Sequence, residues 1–229
     1  MDDKQSFYRR ILLQPLFQGI SFDDFLTITD RVPIRFSRAR RDSLIVTCDE
    51  QAKSLFFILS GAVRYDTRTP DNSICISQII QAPEVVQPEA LFGLTTNFTH
   101  SCYALRDTGY MEIDKAAFRD FLLDYPTIKM NYLNLLCLKL QYAERMLRRP
   151  VPTADIHASF CLFLRHFALR PAGHMIIRGT HEDVARQLAV RRVHFAAYIQ
   201  HILPLGLVTR TRGRIEVPHL EQLLAYDGK

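Results

Sequence analysis

Residues 180–217 read THEDVARQLAVRRVHFAAYIQHILPLGLVTRTRGRIEV. Thr180 can cap a helix whose apolar residues are Val184, Ala185 and Leu188, and Glu182 and Asp183 in its first turn suit the positive helix end. A tight turn over Ala189–Arg191 leads to a second helix, for which we expect Val193, Ala196, Ala197, Ile199 and Ile202 on the packing side. Ala185 is small where the two helices cross. This is the pattern of a helix-turn-helix whose second helix is free to enter a major groove. Pro204 and Leu205 close that helix. Gly206-Leu207-Val208 and TRTRGRIEV then predict two strands joined at Gly213, with Arg210, Arg212 and Arg214 on the hairpin.

Arg191, Arg192 and His194 stand near the start of the second helix. An arginine can grip guanine O6 and N7 with two hydrogen bonds, worth about 1–3 kcal/mol of discrimination against a wrong base. The same side chains could instead be solvated, or touch only phosphates and add affinity without sequence. Arg212 and Arg214 would set positive charge beside the DNA backbone, where contact releases counterions. Thr180, at the start of the first helix, is counted with them.

Upstream, the segment RRPVPT carries Pro150 and Pro152 and marks a domain boundary, after which Thr153 is expected to cap a helix through Ile156, Phe160, Leu164 and Phe167. GHMIIR then predicts a strand. Before the boundary, residues 127–148 contain no Gly or Pro, which predicts a rod of about 33 Å at 1.5 Å per residue, opened by Pro126. Its apolar residues form more than one line. Met130, Leu133, Cys137, Leu140 and Leu147 make one; Ile128, Tyr132, Leu135, Leu136 and Tyr142 make others. Such a helix must be covered on more than one side, by a β domain and by the same helix of a second copy, or else on all sides inside a monomer.

Between Val32 and Ile113 the runs LIVT, SLFFIL, AVRY, ICISQII, EVVQ, SCYAL and YMEI alternate with turn material, which predicts an antiparallel sandwich or barrel. Gly61 and TRTPDNS read as the turns of two linked hairpins. The first thirty residues read as helical around Phe7, Ile11, Leu12 and Phe17, with Ser21 capping a helix through Phe22, Phe25 and Ile28. Asp114 caps another, through Phe118, Phe121 and Leu122. The fold class is therefore α+β: an N-terminal antiparallel sandwich or barrel (1–125), a long dimerisation helix (126–149) and a C-terminal winged helix-turn-helix (150–229).

Composition agrees with this division. Hydrophobic residues make up 48% and charged residues 23% of 229, the balance of a globular chain. Residues 1–150 carry 19 Lys and Arg against 18 Asp and Glu, whereas residues 151–229 carry 10 against 6 and seven of the eight histidines. The basic surplus therefore belongs to the part that contains the helix-turn-helix. No apolar run is long enough for a membrane span, and the polar opening MDDKQSFYRR is not a signal peptide. Five scattered cysteines without a Cys-x-x-Cys pair suit reduced thiols of the cytoplasm. We find no nucleophile–base pairing, metal-spaced ligands or phosphate loop, so an enzyme is not expected.

From about residue 20 to 226 the chain resembles the Crp/Fnr family, the cyclic-AMP receptor protein and fumarate–nitrate regulators. The most specific stretch is LAVRRVHFAAYIQHILPLGLV (188–208). The resemblance implies a homodimer that reads an inverted-repeat operator in double-stranded DNA, with RNA polymerase as a further partner if it activates. Arg192 falls on the family's first base-reading arginine. The family's glutamate is Val193 here and its later arginine is Ala197, which implies a different half-site. The resemblance also implies that the N-terminal domain is an antiparallel β-roll of the jelly-roll kind, which would hold an effector near Glu89, Thr99, His100, Ser101 and Tyr132. The family's phosphate-holding arginine is Thr99 or His100 here and its glycine is Pro88, which argues against cyclic AMP or cyclic GMP. The lack of a cysteine before Cys48 argues against an iron–sulfur cluster. Haem remains open through His100 and Cys102, so the cofactor and the small-molecule effector stay unknown. The competing reading is a small-molecule or haem sensor that acts through protein partners without DNA.

Overall fold

Ser21 starts the first long helix as its sequence suggests: its hydroxyl accepts from the Asp24 N–H at 3.1 Å and opens α1, Phe22–Arg31, with Phe25 and Ile28 buried. The computed structural model describes residues 8–147 and 155–227; Phe7, Pro150, Pro152 and Thr153 lie outside them. The strands that follow are β1 (Ile34–Ala39), β2 (Leu44–Val46), β3 (Ser54–Ser60), β4 (Ala62–Arg68), β5 (Cys75–Gln81), β6 (Glu84–Val86), β7 (Ser101–Ala104) and β8 (Thr108–Asp114). Every apolar run noted above forms a strand. β1 was not among them, because Arg35, Ser37 and Arg38 make it read as polar. It is an edge strand that pairs with β8, and Arg35 stands opposite Glu112 and is ion-paired with it.

Contacts divide the chain into two compact units that are not continuous in sequence. The first takes residues 1–64 and 81–144. One of its sheets has the order β1-β8-β3-β6, and in the other β2 and β7 are neighbours, with β4, whose residues 65–68 belong to the second unit, next to β7. Gly61 is consequently not a hairpin turn: β3 and β4 belong to different sheets, and Gly61 turns the chain from one to the other. Its φ is +93°, and a Cβ there would come within 2.7 Å of the Asp107 carbonyl oxygen, so only glycine fits. Asp114 caps α2 (Lys115–Asp120), its carboxylate accepting from Ala116 N–H at 2.7 Å. Helix α3 (Pro126–Leu147) presents Ile128 and Tyr132 to a core with Phe17, Phe57, Met111, Ile113 and Phe118. Each of these large side chains contributes about 1.5–3 kcal/mol by leaving water.

The second unit takes residues 65–80 and 145–229. Its helices are α4 (Ile156–Phe167), α5 (His181–Gln187), α6 (Arg192–Ile202) and α7 (Leu220–Ala225), with strands β9 (His174–Arg178), β10 (Thr209–Thr211) and β11 (Arg214–Val217). Asp155, rather than Thr153, caps α4; its carboxylate accepts from His157 N–H at 2.8 Å. The unit's strands follow the order β10-β11-β9-β5-β4. Thus β5 is a strand of this unit's sheet, paired antiparallel with β9 from Cys75↔Arg178 to Ile79↔His174. Ile74 and Ile76 enter its core beside Phe160, Leu164, Ile177, Val184, Phe195, Ile199 and Leu223. The buried Gln78 amide is satisfied on both ends: its nitrogen donates to Arg170 and Ala172 carbonyls at 2.8 and 2.9 Å, and its oxygen accepts from Leu169 and Arg170 N–H. The fold class is the one expected, an antiparallel roll with helices and a C-terminal winged helix-turn-helix.

Candidate nucleic-acid interface

Thr180 and Asp183 hold the start of α5 by a reciprocal cap. The Thr180 hydroxyl accepts from Asp183 N–H at 3.1 Å, and the Asp183 carboxylate accepts from Thr180 N–H at 3.1 Å. The Thr180 hydroxyl also donates to the Asp183 carboxylate at 2.6 Å; this bond first, and the one from Thr180 N–H second, stabilise the ionised form and hold the Asp183 pKa below its ordinary value. Ala189 makes the turn in the left-handed region, φ 54°, and α6 follows with Arg191 as its N-cap residue.

On α6 the buried line is Phe195, Ile199 and Ile202, spaced i, i+4, i+7 as one face of a helix requires. Val193, expected to pack, is 74% exposed, and Ala197 is not among the buried residues of the helix. Phe195, which the pattern passed over, is the fully buried anchor. Sequence missed it because two small apolar residues on the opposite face look like a packing stripe. The outer face of α6 therefore carries Arg192, Val193, Ala197 and Gln200.

Charge gathers around this face. Arg191, Arg192, His194, Arg210 and Arg212 are exposed, and an Arg191 guanidinium nitrogen lies 3.1 Å from His194 Nε2. His181, on the first turn of α5, was not marked by the sequence. Its pKa is lowered, first by burial and then by repulsion from Arg210 and Arg192, so both guanidinium groups lie within electrostatic reach of one ring. Arg214 differs from the others, because its guanidinium is ion-paired with Glu216 at 2.8 Å. Exposed guanidinium groups around an apolar strip can hold phosphates while the strip meets base edges.

On α3, Met130 (54% exposed), Leu133 (47%) and Leu140 (69%) face outward, as does Cys137. Those four follow the 3-4-3 spacing of a helix stripe. The side chain of Leu147 lies outside the described residues. In the roll, each residue expected at the effector site has a protein partner. Glu89 is ion-paired with Lys139 at 2.9 Å, and Tyr132 donates to the Pro88 carbonyl at 2.9 Å. Burial pushes the Tyr132 pKa up to about 12. The Ser101 hydroxyl accepts from Cys48 N–H at 3.0 Å. Thr99 and His100 donate to Gln87, and Cys102 is fully buried.

Residues 37–125 match the family model of the cyclic nucleotide-binding domain. The chain also resembles the Catabolite Activator Protein of Thermus thermophilus, at 17% identity and a TM-score of 0.50, over 93% of this chain and 97% of that one; this likeness shows the fold. FixK2 of Bradyrhizobium japonicum aligns at 16% identity and a TM-score of 0.47, over 85% of this chain and 96% of that one. TTHB099, a CRP-family transcriptional regulator that is also from Thermus thermophilus, aligns at 18% and 0.45, over 84% and 98%. No curated protein sequence matches the chain. Among the described residues no helix is long and apolar enough to cross a membrane.

Proposed function

We propose that this chain, which joins a cyclic nucleotide-binding domain (37–125) to a winged helix-turn-helix, is a homodimeric, sequence-specific transcription regulator of the Crp/Fnr kind. Helix α6 lies in the major groove. Arg192 reads a base edge, Arg191 and His194 hold the helix start to the backbone, and Arg212 follows the phosphates from the wing. The observation that carries this reading is the outer face of α6, where Arg192, Val193 and Ala197 are flanked by the guanidinium groups of Arg191 and Arg210. Arg214 has a weaker part, since Glu216 offsets its charge.

The partner of α3 is a second copy of the chain, seated on Met130, Leu133, Cys137 and Leu140. An outward apolar stripe of that length costs free energy in water unless covered. A twofold dimer fits an inverted repeat with half-site centres about 34–36 Å apart. The roll controls the recognition helices only through a ligand or state that favours one arrangement over another, and that ligand is not cyclic AMP.

Selection of genomic fragments by the purified chain, with sequencing of what it retains, tests the proposal. One enriched inverted repeat is the expected result, lost in Arg192→Ala. Retention that ignores sequence, or survives that substitution unchanged, would remove α6 as the reader.

A further inference from the structure

Gln87 carries a hydrogen-bond arrangement that no motif marks. It is 2% exposed and its backbone lies in the left-handed region, φ 41° and ψ 57°, a conformation that a non-glycine residue keeps only when its surroundings hold it there. The side-chain oxygen accepts three hydrogen bonds, from Thr99 N–H at 2.8 Å, the Thr99 hydroxyl at 2.9 Å and His100 N–H at 3.0 Å. The side-chain nitrogen donates to the His100 carbonyl at 2.8 Å. Two of the three donors are amides that cannot accept, so it is the oxygen that faces them.

Two successive amides and a hydroxyl that converge on one oxygen form the kind of backbone concavity that binds an oxyanion. It lies inside the segment that matches the cyclic nucleotide-binding domain, whose ligands carry such an oxygen. We infer that Gln87 is a built-in ligand: its carboxamide oxygen occupies the oxyanion position of the β-roll, which therefore takes no cyclic nucleotide and admits phosphate there only when Gln87 is removed. A neutral occupant suits the surroundings. Lys139 is ion-paired with Glu89, so a diffusible phosphate would bring net negative charge beside a carboxylate, whereas a carboxamide brings none. An internal group has also surrendered the translational freedom that a free ligand must lose.

This inference rests on the reading of the roll as the sensing domain, and its test uses the full chain without DNA. By titration calorimetry, the native protein is expected to show no saturable heat with millimolar cyclic AMP, cyclic GMP or inorganic phosphate. Gln87→Ala leaves three donors without their acceptor, and its melting temperature should fall by about 3–8 °C. Millimolar phosphate should restore most of that loss while leaving the native protein unchanged. Thr99→Val, which removes one donor and keeps the occupant, should lose less and gain nothing from phosphate. Saturable cyclic-nucleotide binding by the native chain would overturn the inference. So would a Gln87→Ala protein that melts like the native one, or one whose loss phosphate does not restore. A chain that selects an operator yet binds cyclic AMP sinks this inference alone; one that selects no operator while its roll behaves as described sinks only the DNA reading.

Discussion

The ring of His181 stands edge-on to that of Phe195, centroids 5.6 Å apart and planes at 81°, and this contact ties the first turn of α5 to the buried face of α6. Phe195 also meets Phe160 at 5.6 Å. Phe195→Ala should destabilise the second unit by about 3–5 kcal/mol, read as a lower urea midpoint. A loss under about 1 kcal/mol would mean that the two helices are held by something other than this ring.

Arg192 and Arg212 should separate by the kind of affinity they supply. Arg192→Ala is expected to weaken operator binding by about 1–3 kcal/mol and leave random DNA almost unaffected. Arg212→Ala should weaken both equally and reduce the salt slope by about 1. Fluorescence anisotropy over a salt series reads both quantities, and identical behaviour of the two variants would contradict the division of labour.

Val193 and Ala197 put methyl groups on the outer face of α6, where the thymine C5-methyl is their natural contact. Replacing single thymines of the selected half-site by deoxyuridine should weaken binding by about 0.8 kcal/mol at a contacted position. Uniform indifference to every such replacement would place these side chains away from the bases.

Leu140→Glu sets a charge on the outward stripe of α3. In sedimentation velocity the native chain should run as a dimer and the variant as a monomer. A variant that remains dimeric would move the interface off this helix.

His100 should make the fold sensitive to mild acid. Its pKa in the folded chain is lowered chiefly by burial; Lys139 lowers it further, and Glu89 opposes them. Unfolded histidine titrates near about 6.5. Below that pH the unfolded chain takes up a proton that the folded chain refuses, so stability is lost as pH falls from about 6.5 toward the folded value. His181, also lowered, adds a loss of the same sign. His100→Gln should therefore flatten part of the decline in melting temperature between about pH 7.5 and 5.5. An unchanged decline would show that His100 ionises freely in the fold.

The winged helix was legible because its signals are local. Thr180 caps the helix four residues before Val184, and Gly213 turns the wing. On α6 the expectation held for Ile199 and Ile202 but not for Val193 and Ala197, since composition cannot tell an apolar strip that packs from one that faces outward. The strand β1 was hidden by charges that are matched across the ladder, Arg35 against Glu112. Gln87 could not be found in this way at all. Its role depends on a left-handed backbone and on donors that begin at Thr99, twelve positions away. Nor could the sequence reveal which sheet β5 would complete, since its partner β9 lies about a hundred residues on, with Ser77 and Arg178 separated by 101.

That separation has a consequence for the chain as it is made. A ribosome adding about 5–20 residues per second releases Ile74 and Ile76 about 5–20 s before β9 exists to receive them. The C-terminal unit is thus assembled on a strand delivered in advance. A fragment beginning at Arg145 would be born without two of its core isoleucines and with the edge of β9 open to whatever strand arrives first.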